Sequence, residues 1–547
     1  MPFFGLRATA GNAVRRFGIA FLLLSTLITQ NAGLQTAFAQ DAPELPPAYP
    51  EPAEKPELRP TKCLYARDEI PDSMKDIDIT CGYVTVPQDH NDPHDKDTID
   101  LYVVIVPATD KHPSETPLFV LAGGPGQAAT DGLWAYDSDY GDEIFPSFSD
   151  FLIDRDVVLF DQRGTGKTLP KVVCPADREP EGDEPSAADE ASAYDNPYLD
   201  CADQLAEEGI DLDTYDNHQS AADIDAVRQA LGADRIDILG TSYGTWLALE
   251  SMRYYPETIR SVVLNSPAPP ETQLYDSAAI GHQNALDRVF DACADDPDCD
   301  DAYPDLADTY TKVVADLNAE PMLVTYEDPD TGEERTEYAN GDVFASLVYE
   351  LIFFSIYIPY APPLITSVAA GESELFGALV PLLLTSSDGM SVPLHYAVMC
   401  QDEIPYIDRD EVLENIEEAG VSQAVMDDEM AAMDSYTEIC DAWDLEPSGE
   451  IANEPVVSDI PTLIITGRFD PITPTFDGEL LLDDLSNAVL VESPVASHSP
   501  LQMSGQCGVD IATAFLEHPR KELDTSCMDD LTLDMSPDPD ETTAGSK

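Results

Sequence analysis

Five short apolar runs between residues 99 and 265 limit the folds open to this chain. They are "IDLYVVIVPA" (99–108), "PLFVLAGG" (117–124), "DVVLFDQRG" (156–164), "RIDILG" (235–240) and "SVVLN" (261–265), most of them closing on Gly or Asn. Runs this short and this apolar suit strands buried on both faces of a parallel sheet. Ahead of the fourth, "SAADIDAVRQALG" (220–232) reads as a helix. Ser220 caps it with Asp223 three residues on, Ile224, Val227 and Leu231 share a face, and Gly232 stops it. Alternation of this kind predicts an α/β sheet.

From 271 to 455 the pattern turns mostly helical, as in "GDVFASLVYELIFFSIYIPY" (341–360) and "LFGALVPLLLTSS" (375–387). Strands resume at "PTLIITG" (461–467) and "AVLVES" (488–493). The division expected is a core over 61–270, a helical lid insertion over 271–455 and the rest of the core over 456–530. A lid placed there covers the strand ends, where such sheets bind ligands.

Arg15 and Arg16 precede "FGIAFLLLSTLI" (17–28), and "AFA" follows at 37–39. A charged start, a short apolar run and a small-x-small site make residues 1–39 a signal peptide, cleaved near Ala39. The mature protein is therefore expected to be secreted, periplasmic or otherwise extracytoplasmic. The run is shorter than the ~20 residues a spanning helix needs, so no stable membrane anchor is expected. Residues 40–60 form a Pro/Glu-rich linker, 176–198 an acidic surface loop and 531–547 a disordered tail. Ten cysteines suit an oxidising compartment and fall along the chain in neighbouring twos, from Cys63 and Cys81 to Cys507 and Cys527. Sequential pairing is expected. No CxxC occurs, so spacing supports no metal centre, and no cofactor is expected.

Acidic side chains number 106 against 27 basic ones, a formal charge of −79. That excludes nucleic acid as a partner, since phosphate binding needs clustered Lys and Arg. The charge serves solubility and hints at a saline habitat.

The chemistry centres on "LGTSYGTWLAL" (239–249). Gly240-Thr-Ser-Tyr-Gly244 matches G-x-S-x-G between a strand and a helix, the setting in which a serine becomes an exposed nucleophile. Ser242 is the nucleophile, and the backbone N–H of Tyr243 points at the developing oxyanion. A serine needs a base, and the chain order for this turn is serine, acid, histidine, each after a strand. "GRFDPITP" supplies Asp470 after the first resumed strand, and "VESPVASHSP" supplies His498 after the next. The second oxyanion donor is assigned to Gly124 in "LAGGPGQ" (121–127). "DQRGTGKT" (161–168) ends like a phosphate-binding loop but has Asp161 where that loop demands Gly, so a nucleotide site is rejected.

Together "CGYVTVPQDH", "LAGGPG", "DQRGTGKT", "GTSYGT", "GRFDPITP" and "CGVDIATAFLEHPRKELDTSC" resemble exported α/β-hydrolase peptidases related to tripeptidyl aminopeptidase and prolyl aminopeptidase. The likeness runs from about Cys63 to Cys527, and the last segment resembles the tripeptidyl aminopeptidase branch. Two departures stand out: Ala122 where prolyl aminopeptidases have His, and "SHSP" where relatives carry glycines around the histidine. The resemblance implies an α/β-hydrolase fold, a mostly parallel sheet with helices on both faces and an inserted lid. It also implies a serine hydrolase that cleaves short peptides from their N-terminus. "AVMCQDEIPY" (397–406) resembles that family's Cys-x-Asp element and offers Asp402 or Glu403 to hold the substrate's ammonium group. An esterase or lipase with the same triad is the nearest alternative. A non-catalytic binding protein on this fold is the other.

Overall fold

Eleven strands are present among the described residues of the computed structural model: β1 (Leu58–Thr61), β2 (Thr80–Pro87), β3 (Thr98–Val106), β4 (Leu118–Leu121), β5 (Val157–Phe160), β6 (Ile236–Thr241), β7 (Ile259–Asn265), β8 (Met322–Glu327), β9 (Glu334–Ala339), β10 (Thr462–Gly467) and β11 (Ala488–Ser493). The described residues are 49–50, 55–65, 77–131, 155–175 and 196–535, without 93, 95, 110–112, 115, 197, 330 and 386–388. The signal peptide, most of the linker, nearly all of the acidic loop and residues 536–547 of the tail lie outside them. The linker's last residues, 58–60, belong to β1.

Nine strands make one sheet in the order β1-β2-β3-β5-β4-β6-β7-β10-β11. The β1, β2 and β3 neighbours pair antiparallel, and everything from β5 to β11 runs parallel. The short apolar runs are explained by burial on both faces. Ile238, Val262, Leu264 and Ile464 pack into one apolar cluster, while Leu239, Val263, Leu463 and Ile465 pack into another. Successive residues of a strand point to opposite faces, so a strand with two buried faces has no room for alternation.

Helix α1 spans Asn217–Leu231, three residues earlier than the sequence pattern suggested. Its cap is Asp216, which accepts from Gln219 N–H at 2.6 Å, not Ser220. Asp223 is unavailable for capping: it is buried and pairs with Arg163 and His90, each at 2.8 Å. Gly232 does stop the helix, at φ 71°. Helix α2 (Tyr243–Tyr254) follows β6 directly.

Residues 271–455 supply most of a third apolar cluster, built on helices that include α3 (Leu274–Asp295), α4 (Gly341–Phe353) and α5 (Gln423–Trp443). Phe469 and Met535 join it from outside, so residues 531–535, expected in a disordered tail, pack onto the fold. The hairpin β8–β9 is an addition the helical reading did not contain. Its strand β9, "ERTEYA", is exposed except for Ala339, so it carries little apolar signal. Five disulfides join the cysteines in the expected sequential order, Cys63–Cys81, Cys174–Cys201, Cys293–Cys299, Cys400–Cys440 and Cys507–Cys527. Among the described residues no helix is long and apolar enough to cross a membrane.

Candidate active site

The parallel strands β4, β6, β7, β10 and β11 are neighbours, so the turns at their carboxyl ends converge. Gly123–Gly124 follows β4, Ser242 follows β6, Asp470 follows β10 and His498 follows β11. This is the edge of an α/β sheet where ligands bind.

Ser242 has φ 56° and ψ −128°, a strained conformation for a residue with a side chain, and is half-buried. The two glycines of the motif are sterically required. A Cβ on Gly240 would collide with the Gly244 carbonyl, and one on Gly244 would collide with the Leu121 carbonyl of β4. The turn is fixed by Ser242 N–H donating to Asn265 O at 2.9 Å and by Thr245 N–H donating to Ser242 O at 2.8 Å.

Asp470 and His498 form a buried pair, with His498 Nδ1 2.9 Å from Asp470 Oδ2. The carboxylate is saturated. Oδ2 also accepts from Ser266 Oγ and Thr473 Oγ1, both at 2.8 Å, and Oδ1 accepts from the N–H groups of Ile472 and Thr473. Burial pushes the Asp470 carboxyl up, but the His498 charge and these hydrogen bonds outweigh it and hold the group below the usual carboxylate range. An ionised Asp470 requires the proton on Nδ1, which leaves Nε2 of a neutral His498 as the basic nitrogen.

A Cβ on Gly123 would stand 3.1 Å from Ser242 Cβ, so the Gly123–Gly124 peptide lies against Ser242. Gly124 has φ 110°, which L side chains rarely adopt. Two residues of the helical segment fix this loop. Ser391 N–H donates to Gly126 O at 2.9 Å, and His395 Nδ1 lies 3.1 Å from Pro125 O. Tyr243 turns its side chain away, its hydroxyl donating to Asn217 Oδ1 at 2.6 Å, which leaves its backbone N–H at the start of α2.

Asp402 and Glu403 are both buried in a π-turn (Met399–Glu403) that the Cys400–Cys440 disulfide pins to α5. Each already holds the start of a helix: Asp402 Oδ2 accepts from Asn217 N–H at 2.9 Å, and Glu403 Oε1 from Leu274 N–H at 2.8 Å. Burial pushes Glu403 up to about 8. A third acid of this segment carries no signal in the sequence. Glu429 on α5 lies 4.0 Å from Nδ1 of His282 on α3, and neither buried ring nitrogen of that histidine has a hydrogen-bond partner. Burial, with Asp428 nearby, raises Glu429 to about 8. Rings connect this group to His498: His282 meets Tyr349 edge-on at 4.8 Å, Tyr349 stacks on Phe353 at 6.3 Å, and Phe353 stacks on His498 at 4.6 Å.

"DQRGTGKT" closes on itself. Asp161 accepts from Lys167 N–H and from Thr130, and Arg163 is wholly buried against Asp223. Among the described residues no cluster of His, Cys, Asp and Glu could hold a metal ion.

Residues 116–322 match the family described as alpha/beta hydrolase fold, and 427–527 match the one described as TAP-like protein. The chain is 25% identical to "Serine protease Hip1" of Mycobacterium tuberculosis over 463 residues, 80% of this chain and 84% of that one. It is 23% identical to "Putative hydrolase YuaR" of Escherichia coli over 474 residues, covering 82% and 88%. Against "Tripeptidyl aminopeptidase" of Streptomyces coelicolor the identity is 28% over 255 residues, 43% of this chain and 44% of that one.

Proposed function

We propose that this chain, an α/β-hydrolase with a TAP-like C-terminal segment, is a serine peptidase that removes short peptides from the free N-terminus of its substrates. The observation that carries the reading is the buried Asp470–His498 pair, beside the strained turn that presents Ser242. Similarity to chains named serine protease and tripeptidyl aminopeptidase supports a peptide as the substrate. The five disulfides and the signal-peptide pattern read in residues 1–39 support an extracytoplasmic site of action.

Ser242 Oγ adds to the scissile carbonyl carbon as His498 Nε2 takes its proton. Asp470 keeps the imidazole in the useful tautomer and stabilises the imidazolium, remaining ionised throughout. The N–H groups of Gly124 and Tyr243 receive the oxyanion. Collapse breaks the C–N bond, and Nε2 returns the proton to the leaving amine. Water then attacks the acyl-enzyme by the same route and frees the N-terminal fragment. Every step uses protein groups and water alone.

A free N-terminus presents an ammonium group, and a lid carboxylate receives it. Asp402 and Glu403 are candidates, and Glu429 joins them through its contact with His282. The test compares kcat/KM on a free peptide amide and on its N-acetyl form. Acetylation should cost about 30-fold or more, the loss of a charged hydrogen bond in a partly desolvated site. Equal values would end the aminopeptidase reading and favour an esterase-like or endo-acting hydrolase.

A further inference from the structure

The dipeptide Asn265–Ser266, which takes no chemical part in the reaction just proposed, touches the segments carrying all three triad residues. It ends β7, the strand between β6, which leads to the nucleophile, and β10, which leads to the acid. In register Asn265 sits beside Thr241 on one side and Ile465 on the other. Its carbonyl accepts the Ser242 N–H at 2.9 Å. Its side chain donates to Thr241 Oγ1 at 3.2 Å and to Gln502 Oε1 at 3.0 Å, and accepts Leu501 N–H at 2.9 Å. Ser266 Oγ donates to Asp470 Oδ2 at 2.8 Å and accepts the N–H of Ser499, the residue after the base, at 3.0 Å. Both Asn265 and Ser266 are fully buried.

Strain marks the same place. Ser266 has φ 57° and Ser499 has φ 62°, although neither is glycine. Non-glycine residues hold such angles only where the surroundings over-determine them. Here the hydroxyl of Ser266 must reach the carboxylate and the Ser499 N–H together.

We propose that Asn265–Ser266 is a positioning clamp that sets the spacing of nucleophile, acid and base, and that the Ser266 hydroxyl is its functional contact to the acid. The inference rests on the triad reading above. One bond from a buried hydroxyl shares the charge of Asp470 with His498. Without it the carboxylate charge is less offset and stabilises the imidazolium more, which should move the acid limb of the rate to higher pH. Asp477, on the helix that follows it, and Tyr349 of the helical segment also sense Asp470. Both stay in place when Ser266 is changed.

The test uses a fluorophosphonate probe, whose capture by a serine needs the base but no knowledge of the natural substrate. Rates of labelling are measured against pH for the wild type, Ser266→Gly and Ser266→Ala. Glycine removes the hydroxyl and accepts φ 57° freely, whereas alanine removes the hydroxyl and keeps the strain. Both variants should label about tenfold more slowly, with the acid limb moved up by roughly 0.5 pH unit. A packing role alone would lower the melting temperature and leave that limb where it was. Wild-type rate and an unmoved limb in Ser266→Gly would overturn the clamp. A wild-type protein that never labels at Ser242 would instead overturn the triad reading beneath it.

Discussion

Phe353, the last residue of α4, stacks on the imidazole of His498 with ring centroids 4.6 Å apart and planes 27° from parallel. Its carbonyl also accepts the His498 backbone N–H at 3.3 Å, and Ser355 Oγ two residues on accepts Ser497 N–H at 2.7 Å. The helical segment therefore holds His498 by ring and by backbone.

Phe353→Ala removes the ring and leaves the carbonyl. An aromatic pair contributes about 0.5–1.5 kcal/mol beyond its burial, so kcat should fall by up to about tenfold through a looser imidazole. Phe353→Tyr should retain most of the activity. Steady-state kinetics on one substrate decides it, and an unchanged kcat in Phe353→Ala would show that the stack is incidental.

The lid acids give a second prediction. Glu429→Gln should raise KM for free peptides several-fold and leave N-acetyl peptides and simple esters nearly unchanged. Asp402→Asn and Glu403→Gln should also lower the melting temperature, because each acid holds a helix-start N–H. If all three variants bind free peptides as the wild type does, the ammonium group is received elsewhere.

Stability should fall as pH rises from 6.5 to about 8.5. Burial raises Glu250 and Glu350 to about 7, and Glu403 and Glu429 to about 8. In an unfolded chain a glutamate titrates near 4.3, so in this window the native state binds more protons and ∂ΔG/∂pH is negative. His218, His282 and His395, which burial lowers to about 4, act in the opposite direction only below about 6.5. Scanning calorimetry across the window checks the sign; a melting temperature that climbs between pH 6.5 and 8.5 would contradict it.

Salt should stabilise the fold. With 106 acidic side chains against 27 basic ones, repulsion weakens the compact state, and ions screen it beyond about 10 Å at 0.1 M. Melting temperature should rise between dilute buffer and molar sodium chloride. A flat response would mean that local pairing already offsets the charge, removing the motive for a saline habitat.

The parts legible in the sequence were those encoded by short contiguous segments. Strand runs, the glycines about Ser242, and the order of Asp470 and His498 after the resumed strands all depend on neighbours within a few residues. Asn265–Ser266 was visible only as a strand ending in Asn, since its partners in the Asp470 and His498 loops lie more than 200 positions away. Thr473 stood inside a quoted motif, yet its hydroxyl's reach to Asp470 depends on the turn geometry. Glu429 is one acid among many on a polar helix face; only its approach to the buried His282 singles it out. The early start of α1 escaped because Asp223 spends its carboxylate on Arg163, a contact 60 residues back along the chain.

The central claim is that Ser242 is a nucleophile activated by His498. Incubation with a fluorophosphonate, followed by peptide mapping by mass spectrometry, tests it most directly. The account predicts one adduct per chain, on Ser242, forming at least about 1,000-fold more slowly in His498→Ala. An unlabelled Ser242, or labelling that His498→Ala leaves unchanged, would contradict it.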